Sequence, residues 1–184
     1  MNALPVKADR DALFSQIAIH FKSGTLLKAQ QCLDTVLAGD PWDVPALMLR
    51  AMVQVRLKLW EGAQADFSKA RSLDPSDREA WLGEAVCLAS RSDVYPALDL
   101  LERMLEAHPK FVRGHLQAAR LYFKLVVLPK GQAHMKAALA ADPTTEERRE
   151  IEALLKEEAA LDQKRYHRPD FEALRRQKAA QAQS

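Results

Sequence analysis

Apolar residues recur along this chain at helical spacing, and the pattern restarts at a fixed interval. Ala29, Leu33 and Val36 are separated by four and then three residues, which puts them on one stripe of a helix. Ala63, Phe67 and Ala70 repeat that spacing, as do Ala97, Leu101 and Met104, then Gly131, Met135 and Ala138. Each stripe is followed at the same distance by a proline, in the steps Asp40-Pro41, Asp74-Pro75, His108-Pro109 and Asp142-Pro143, and the intervals between successive prolines are identical. Proline pushes the residue before it out of the α region, so each step ends a helix. A second apolar pattern precedes each stripe. It carries Ala51, Ala85 and Ala119 at one register position, where a small side chain lets two helices approach closely. The unit is therefore a helix pair. The pattern predicts helices over 11–22, 25–38, 44–58, 60–72, 77–90, 94–107, 111–125 and 129–141. Pro96 and Pro129 fall in first turns, where a missing N–H does little harm.

Self-similarity at a constant period of this length is the signature of a repeat architecture. Beyond Pro143 the period stops. Thr144 and Glu147 have the spacing of a capping box, and Ile151, Leu154, Leu155 and Ala159 form a narrow apolar stripe on a charged helix. A stack of repeats has an apolar end, and a helix with one polar face is expected to cover it. A short last helix is expected to begin at Pro169, with Phe171 and Leu174 as its apolar contacts, and residues 178–184 read as a frayed end.

Composition narrows the class to all-α. Ala, Leu, Glu, Gln, Lys and Arg dominate, and there are only six glycines in 184 residues. The formal net charge of +2 supplies no concentrated basic surface, so nucleic acid is not an expected partner. No apolar run approaches the ~18 residues of a membrane span, and the first residues lack the apolar core of a secretory signal, so a cytoplasmic protein without membrane insertion is expected. Cys32 and Cys87 each sit in a helical pattern, and free thiols are expected there. Residues 144–162 are net acidic and residues 163–184 net basic. The basic stretch Lys164 to Arg168 is a candidate contact for an acidic surface.

The period and its positions resemble the tetratricopeptide repeat (TPR). Trp81, Ala85, Ala97, Leu101 and Pro109 match the repeat pattern in a third unit, Ala51, Ala63, Phe67, Ala70 and Pro75 in a second, and Ala119, Tyr122, Met135, Ala138 and Pro143 in a fourth. The fourth unit departs at His115, in a position usually bulky, and at Gly131, usually alanine. In the first unit Phe14, Ile17, Ala18 and Phe21 fit only if one residue is missing before Gly24. The resemblance implies a right-handed α-solenoid of about four helix-turn-helix units (10–43, 44–77, 78–111 and 112–143). They are flanked by an N-terminal lead (1–9), a capping helix (144–163) and a basic tail (164–184).

The same resemblance implies a non-enzymatic protein-interaction scaffold. The first helix of each pair would line a concave face that receives a peptide segment of a partner protein. The implied groove positions are Met48, Met52, Val55 and Arg56 in the second unit, Leu82, Val86 and Ala89 in the third, and Leu116, Arg120, Phe123 and Lys124 in the fourth. Ser15 and Ile19 would join them if the first unit has slipped. The stretch Val44 to Leu59 supports the placement independently. It is apolar almost all round, and such a helix has two covered faces. Methionine also fills irregular cores, so Met48 and Met52 as plain packing is the competing reading. The groove positions lack the Lys/Asn clamp with which one group of the family grips a C-terminal carboxylate. An apolar trough with a basic rim of Arg56, Arg113, Arg120 and Lys124 fits an apolar partner segment with acidic flanks.

Catalytic groupings are missing from the pattern. There is no Gly-rich phosphate loop and no nucleophile elbow. None of the five histidines pairs with another at helical metal-ligand spacing, although His115 and His134 could meet across one unit. No enzyme, metal or cofactor is expected. Two alternatives share these features: a type III secretion translocator-type chaperone, and a self-associating assembly scaffold whose tail fills the groove of another copy to give a homo-oligomer.

Overall fold

A computed structural model describes residues 7–165. The helix expected at Pro169 and nearly all of the basic tail lie outside the described residues, as do positions 1–6 of the N-terminal lead. Among the described residues the chain is helical throughout, with α1 (Lys7–Lys22), α2 (Leu26–Gly39), α3 (Val44–Arg56), α4 (Trp60–Leu73), α5 (Arg78–Ser90), α6 (Val94–Ala107), α7 (Val112–Lys124), α8 (Leu128–Ala140) and α9 (Thr145–Arg165). Two compact units divide after Pro143.

The first unit is the repeat stack, and two recurrent turns build it. The turn between pairs is the Asp-Pro step. Asp40, Asp74 and His108 are the C-caps of α2, α4 and α6, with φ of −135°, −131° and −129°, the extended backbone that a following proline imposes. Each caps its helix in the same way, its N–H donating to the carbonyl of Val36, Ala70 or Met104 at 2.9 Å. Each step then closes as a four-residue turn, with the N–H of Asp43, Asp77 or Phe111 on the carbonyl three residues back at 3.3, 3.2 and 3.0 Å. The Asp40 and Asp74 carboxylates add a bond to the N–H two residues on, at 3.0 Å each. The bonds from Ser76 to Asp74 hold that carboxyl below its usual range. Asp43 and Asp77 then serve as N-caps of α3 and α5, accepting from Ala46 and Glu79 N–H groups.

The turn within a pair is left-handed. Gly24, Lys58, Ser92 and Val126 have φ of 73°, 61°, 72° and 60°, and they fall at the same phase of successive repeats. Bonds from Leu59 to Gln54 and from Lys58 to Val55 close this turn as a Schellman motif, and the equivalent pairs recur in the next two repeats. This register corrects the expected slip in the first unit. Gly24 is in phase with the later turns, so no residue is missing, and Ile17 occupies the position of Ala51. Ile17 is 2% exposed, in a core cluster with Ala29 and Leu33. The small residue Ala18 points to solvent instead.

Each helix of the stack packs on its chain neighbours, and α3 also meets α5 as α5 meets α7. First helices thus lie side by side and form one face. Ion pairs tie the helices together: Arg50 forks onto buried Asp66 within its own pair with two 2.7 Å bonds and reaches exposed Asp34 of the preceding pair at 2.8 Å, and Arg71 bonds buried Glu84 of the next pair at 2.7 Å. In the second unit α9 begins with the expected capping box, in which Thr144 N–H donates to Glu147 and Glu147 N–H to the Thr144 hydroxyl. Ile151 and Leu154 are buried, whereas Leu155 and Ala159 are exposed.

Candidate functional site

The face made by the first helices carries an open cavity of about 640 Å³. Its floor is Met48, Met52 and Val55 from α3, Leu82, Gly83 and Val86 from α5, Phe21 from α1 and Phe67 from α4. Their spacing explains the grouping: 48, 52 and 55, like 82 and 86, are single-face intervals of a helix. Met52 is 44% exposed, a large apolar side chain in contact with water. Gly83 shapes the floor. A Cβ there would lie 2.5 Å from the Phe67 ring, so glycine is what lets the ring approach α5 this closely. The equivalent residues one unit away are Leu49 and Gln117, and the matching second-helix position holds leucine at 33 and 101 where this unit has Phe67.

The rim is charged but mixed. Arg113 donates to both oxygens of Glu79 at 2.8 and 2.7 Å, and Asp77 caps α5 beside them. Across the cavity Arg56 lies over the Phe21 ring at 4.8 Å, with a 3.5 Å contact from its Nη1 to the Phe21 carbonyl. The uniformly positive rim read from sequence is therefore half neutralised, because the pattern could not show that Glu79 and Arg113, on successive units, face each other.

Of the sequence-predicted groove residues, Met48, Met52, Val55, Arg56, Leu82 and Val86 come together here. Leu116 and Phe123 do not line the cavity; both are 3% exposed. Phe123 turns toward α8, where a Cβ on Gly131 would sit 2.3 Å from its ring. This contact is the physical reason for glycine in place of alanine at that position. Arg120 and Lys124 are exposed away from the cavity lining. The first unit contributes Phe21, and Ser15 and Ile19 are displaced from the lining by the corrected register. Phe67 was missed because it lies on a second helix, and Phe21 because of the assumed slip.

A separate polar cluster joins α6, α7 and α8. The His115 and His134 Nδ1 atoms are 3.1 Å apart, and Glu102 accepts from Tyr122 at 2.7 Å and lies 3.2 Å from His134 Nε2. His115 Nε2 is 2.9 Å from the Pro109 carbonyl, which can only accept, so this nitrogen carries the hydrogen. One unit earlier the Trp81 indole N–H makes the equivalent bond to the Pro75 carbonyl, also at 2.9 Å. His115 thus reproduces the tether of a tryptophan. Burial holds it below the usual histidine range, with the Pro109 carbonyl opposing and His134 adding to the shift. Among the described residues no group of three or more His, Cys, Asp or Glu is placed to hold a metal. Cys32 and Cys87 are free, and burial, with Glu84 nearby, pushes the Cys87 thiol up to about 11, which makes it unreactive. Among the described residues no helix is long and apolar enough to cross a membrane.

No protein-family model matches the sequence, and no curated protein matches it. Solved structures do match. MamA from Desulfovibrio magneticus RS-1 (residues 41 to the end) superposes with a TM-score of 0.67 at 18% identity, over 86% of this chain and 97% of that one. YrrB, described as a TPR protein with an unusual peptide-binding site, gives 0.67 at 17% identity, over 80% of this chain and 75% of that one. The first TPR of Spaghetti (RPAP3), bound to the HSP90 peptide SRMEEVD, gives 0.61 at 21% identity, over 68% of this chain and 99% of that one. The fold is a TPR solenoid.

Proposed function

We propose that this protein is a non-enzymatic interaction scaffold that binds a peptide segment of a partner protein in the cavity between α1, α3 and α5. One observation carries the reading: an open apolar floor with Met52 left in water, on the face where first helices align. Exposed apolar surface of this kind marks an interaction site. Peptide binding by the fold's relatives, YrrB and RPAP3, supports it. The floor lacks a Lys/Asn clamp, so affinity comes from burying apolar side chains. Three large anchors at the top of the ~1.5–3 kcal/mol range approach micromolar affinity, about −8 kcal/mol, only if ordering costs are small, as a preformed cavity allows; fewer or smaller anchors leave binding nearer millimolar, about −4 kcal/mol. Free cysteines, one of them buried, accord with a reducing, cytoplasmic setting. Capture of a partner by the tagged protein, compared with Met52→Glu combined with Val86→Glu, tests the reading. The double variant is expected to keep its helical circular dichroism and lose capture. Undiminished capture by a folded double variant would move the site off this face.

A further inference from the structure

The two edges of this cavity differ in what their cations are already doing, and this difference specifies the partner further. Along the edge where α5 and α7 begin, Arg113 spends its charge on Glu79 through two short bonds, and Asp77 is a helix cap. Among the residues that line the cavity, that edge therefore offers an incoming segment no uncommitted positive charge; Arg78, exposed over the Phe111 ring at the start of α5, and Lys110, exposed just before α7, lie outside the lining. Along the edge where α1 and α3 end, Arg56 is spread over Phe21, and among the described residues its hydrogen bond is a long one to a backbone carbonyl. Among the described residues no carboxylate pairs with it. Lys22 and Lys58, at and just past the same helix ends, are exposed. The negative dipole ends of α1 and α3 hold cations there, so a carboxylate gains from the N–H groups of those side chains and not from the helix termini themselves. Stacking on Phe21 fixes the Arg56 plane beside the apolar floor, which lowers the ordering cost of using it.

We infer that the segment bound in this cavity carries two or three large apolar side chains with acidic residues on one flank only, the flank that crosses the ends of α1 and α3 at Arg56. The inference rests on the groove reading proposed above and adds the chemistry and polarity of the ligand. A carboxylate reaching Arg56 gains a charge-assisted pair at no loss to the protein. The same carboxylate at Arg113 would have to displace Glu79 and leave it unpaired. The cavity volume, about 640 Å³, suits a few side chains rather than a long helix.

Fluorescence anisotropy with labelled short peptides tests this on the full chain. The probes share a core of two leucines and a phenylalanine. In one pair glutamates flank the core at the amino or carboxyl end; the control has serines at both ends. The better-oriented glutamate probe is expected to bind about 5–10-fold tighter than the serine probe at low salt, with the gap closing as salt rises. Arg56→Gln is expected to abolish the gap, bringing the glutamate and serine probes within about twofold of each other, and Arg113→Gln to leave the gap in place. Equal binding of glutamate and serine probes, or a gap lost through Arg113→Gln instead, overturns the one-sided assignment while the groove reading stands. Failure of every probe to bind, or binding insensitive to Met52→Glu with Val86→Glu, overturns the groove reading itself.

Discussion

Val126 is a β-branched residue held at φ 60°, in the left-handed region that its Cβ resists. The fold needs that conformation at every intra-pair turn, yet only the first unit supplies glycine. Val126→Gly is expected to stabilise the protein by about 1 kcal/mol, seen as a rise of roughly 2–4 °C in the thermal midpoint. A lower midpoint would show that the valine side chain contributes packing that outweighs its strain. The opposite logic holds at Gly83. Alanine there should help by helix propensity, about 1 kcal/mol, but its Cβ would strike Phe67. Gly83→Ala is expected to cost about 1–3 kcal/mol alone, and to be neutral or stabilising in a Phe67→Leu background. A double-mutant cycle by urea denaturation measures the coupling, and additive effects would contradict the close approach.

At the scale of helix pairs, ion pairs and the histidine tether hold elements that apolar stripes only align. Asp66 is 5% exposed and has Arg50 as its partner. Arg50→Met strands that carboxylate and is expected to destabilise by about 2–3 kcal/mol in denaturant unfolding, whereas an unpaired surface arginine would cost almost nothing. In the fourth unit, burial makes His115 harder to protonate folded than unfolded. Its contribution is therefore present above about pH 6.5 and is lost as pH falls through its lowered folded value. Glutamine can keep the N–H to the Pro109 carbonyl and does not titrate. Between pH 7.5 and 5.5 the wild type is expected to lose more stability than His115→Gln; equal losses would show that other groups govern the acid limb. Element positions were legible in the sequence because proline and left-handed turns punctuate every unit. Register in the first unit was not, because an alanine at 18 looked like the small close-approach residue while Ile17 in fact fills that place against Ala29.

The repeat stack as a whole is a one-dimensional array in which each pair buries its neighbour's apolar stripe, so the constant period was sufficient to read the fold. It was insufficient to read the face completely. Six of the eleven groove positions expected in the second to fourth units meet at one cavity, since periodicity transfers direction from unit to unit, and Ala89 is among those that do not. The fourth unit diverges because Phe123 is large enough to plunge toward Gly131, and such a trade of a large for a small residue across two helices is invisible to a pattern read along one. Charge was the least legible property: Arg113 counts as a cation in the sequence and as half of a neutral pair in the fold.

Methionine itself provides the most direct test of the central claim, that the face of aligned first helices is an apolar binding surface. Met48 and Met52 line the cavity, whereas Met104 and Met135 are 1% exposed in the core. With ¹³C-methyl-labelled methionine, titration of the serine-flanked apolar peptide is expected to shift the Met48 and Met52 resonances and leave Met104 and Met135 in place. A bound peptide that leaves Met48 and Met52 unmoved would contradict the account.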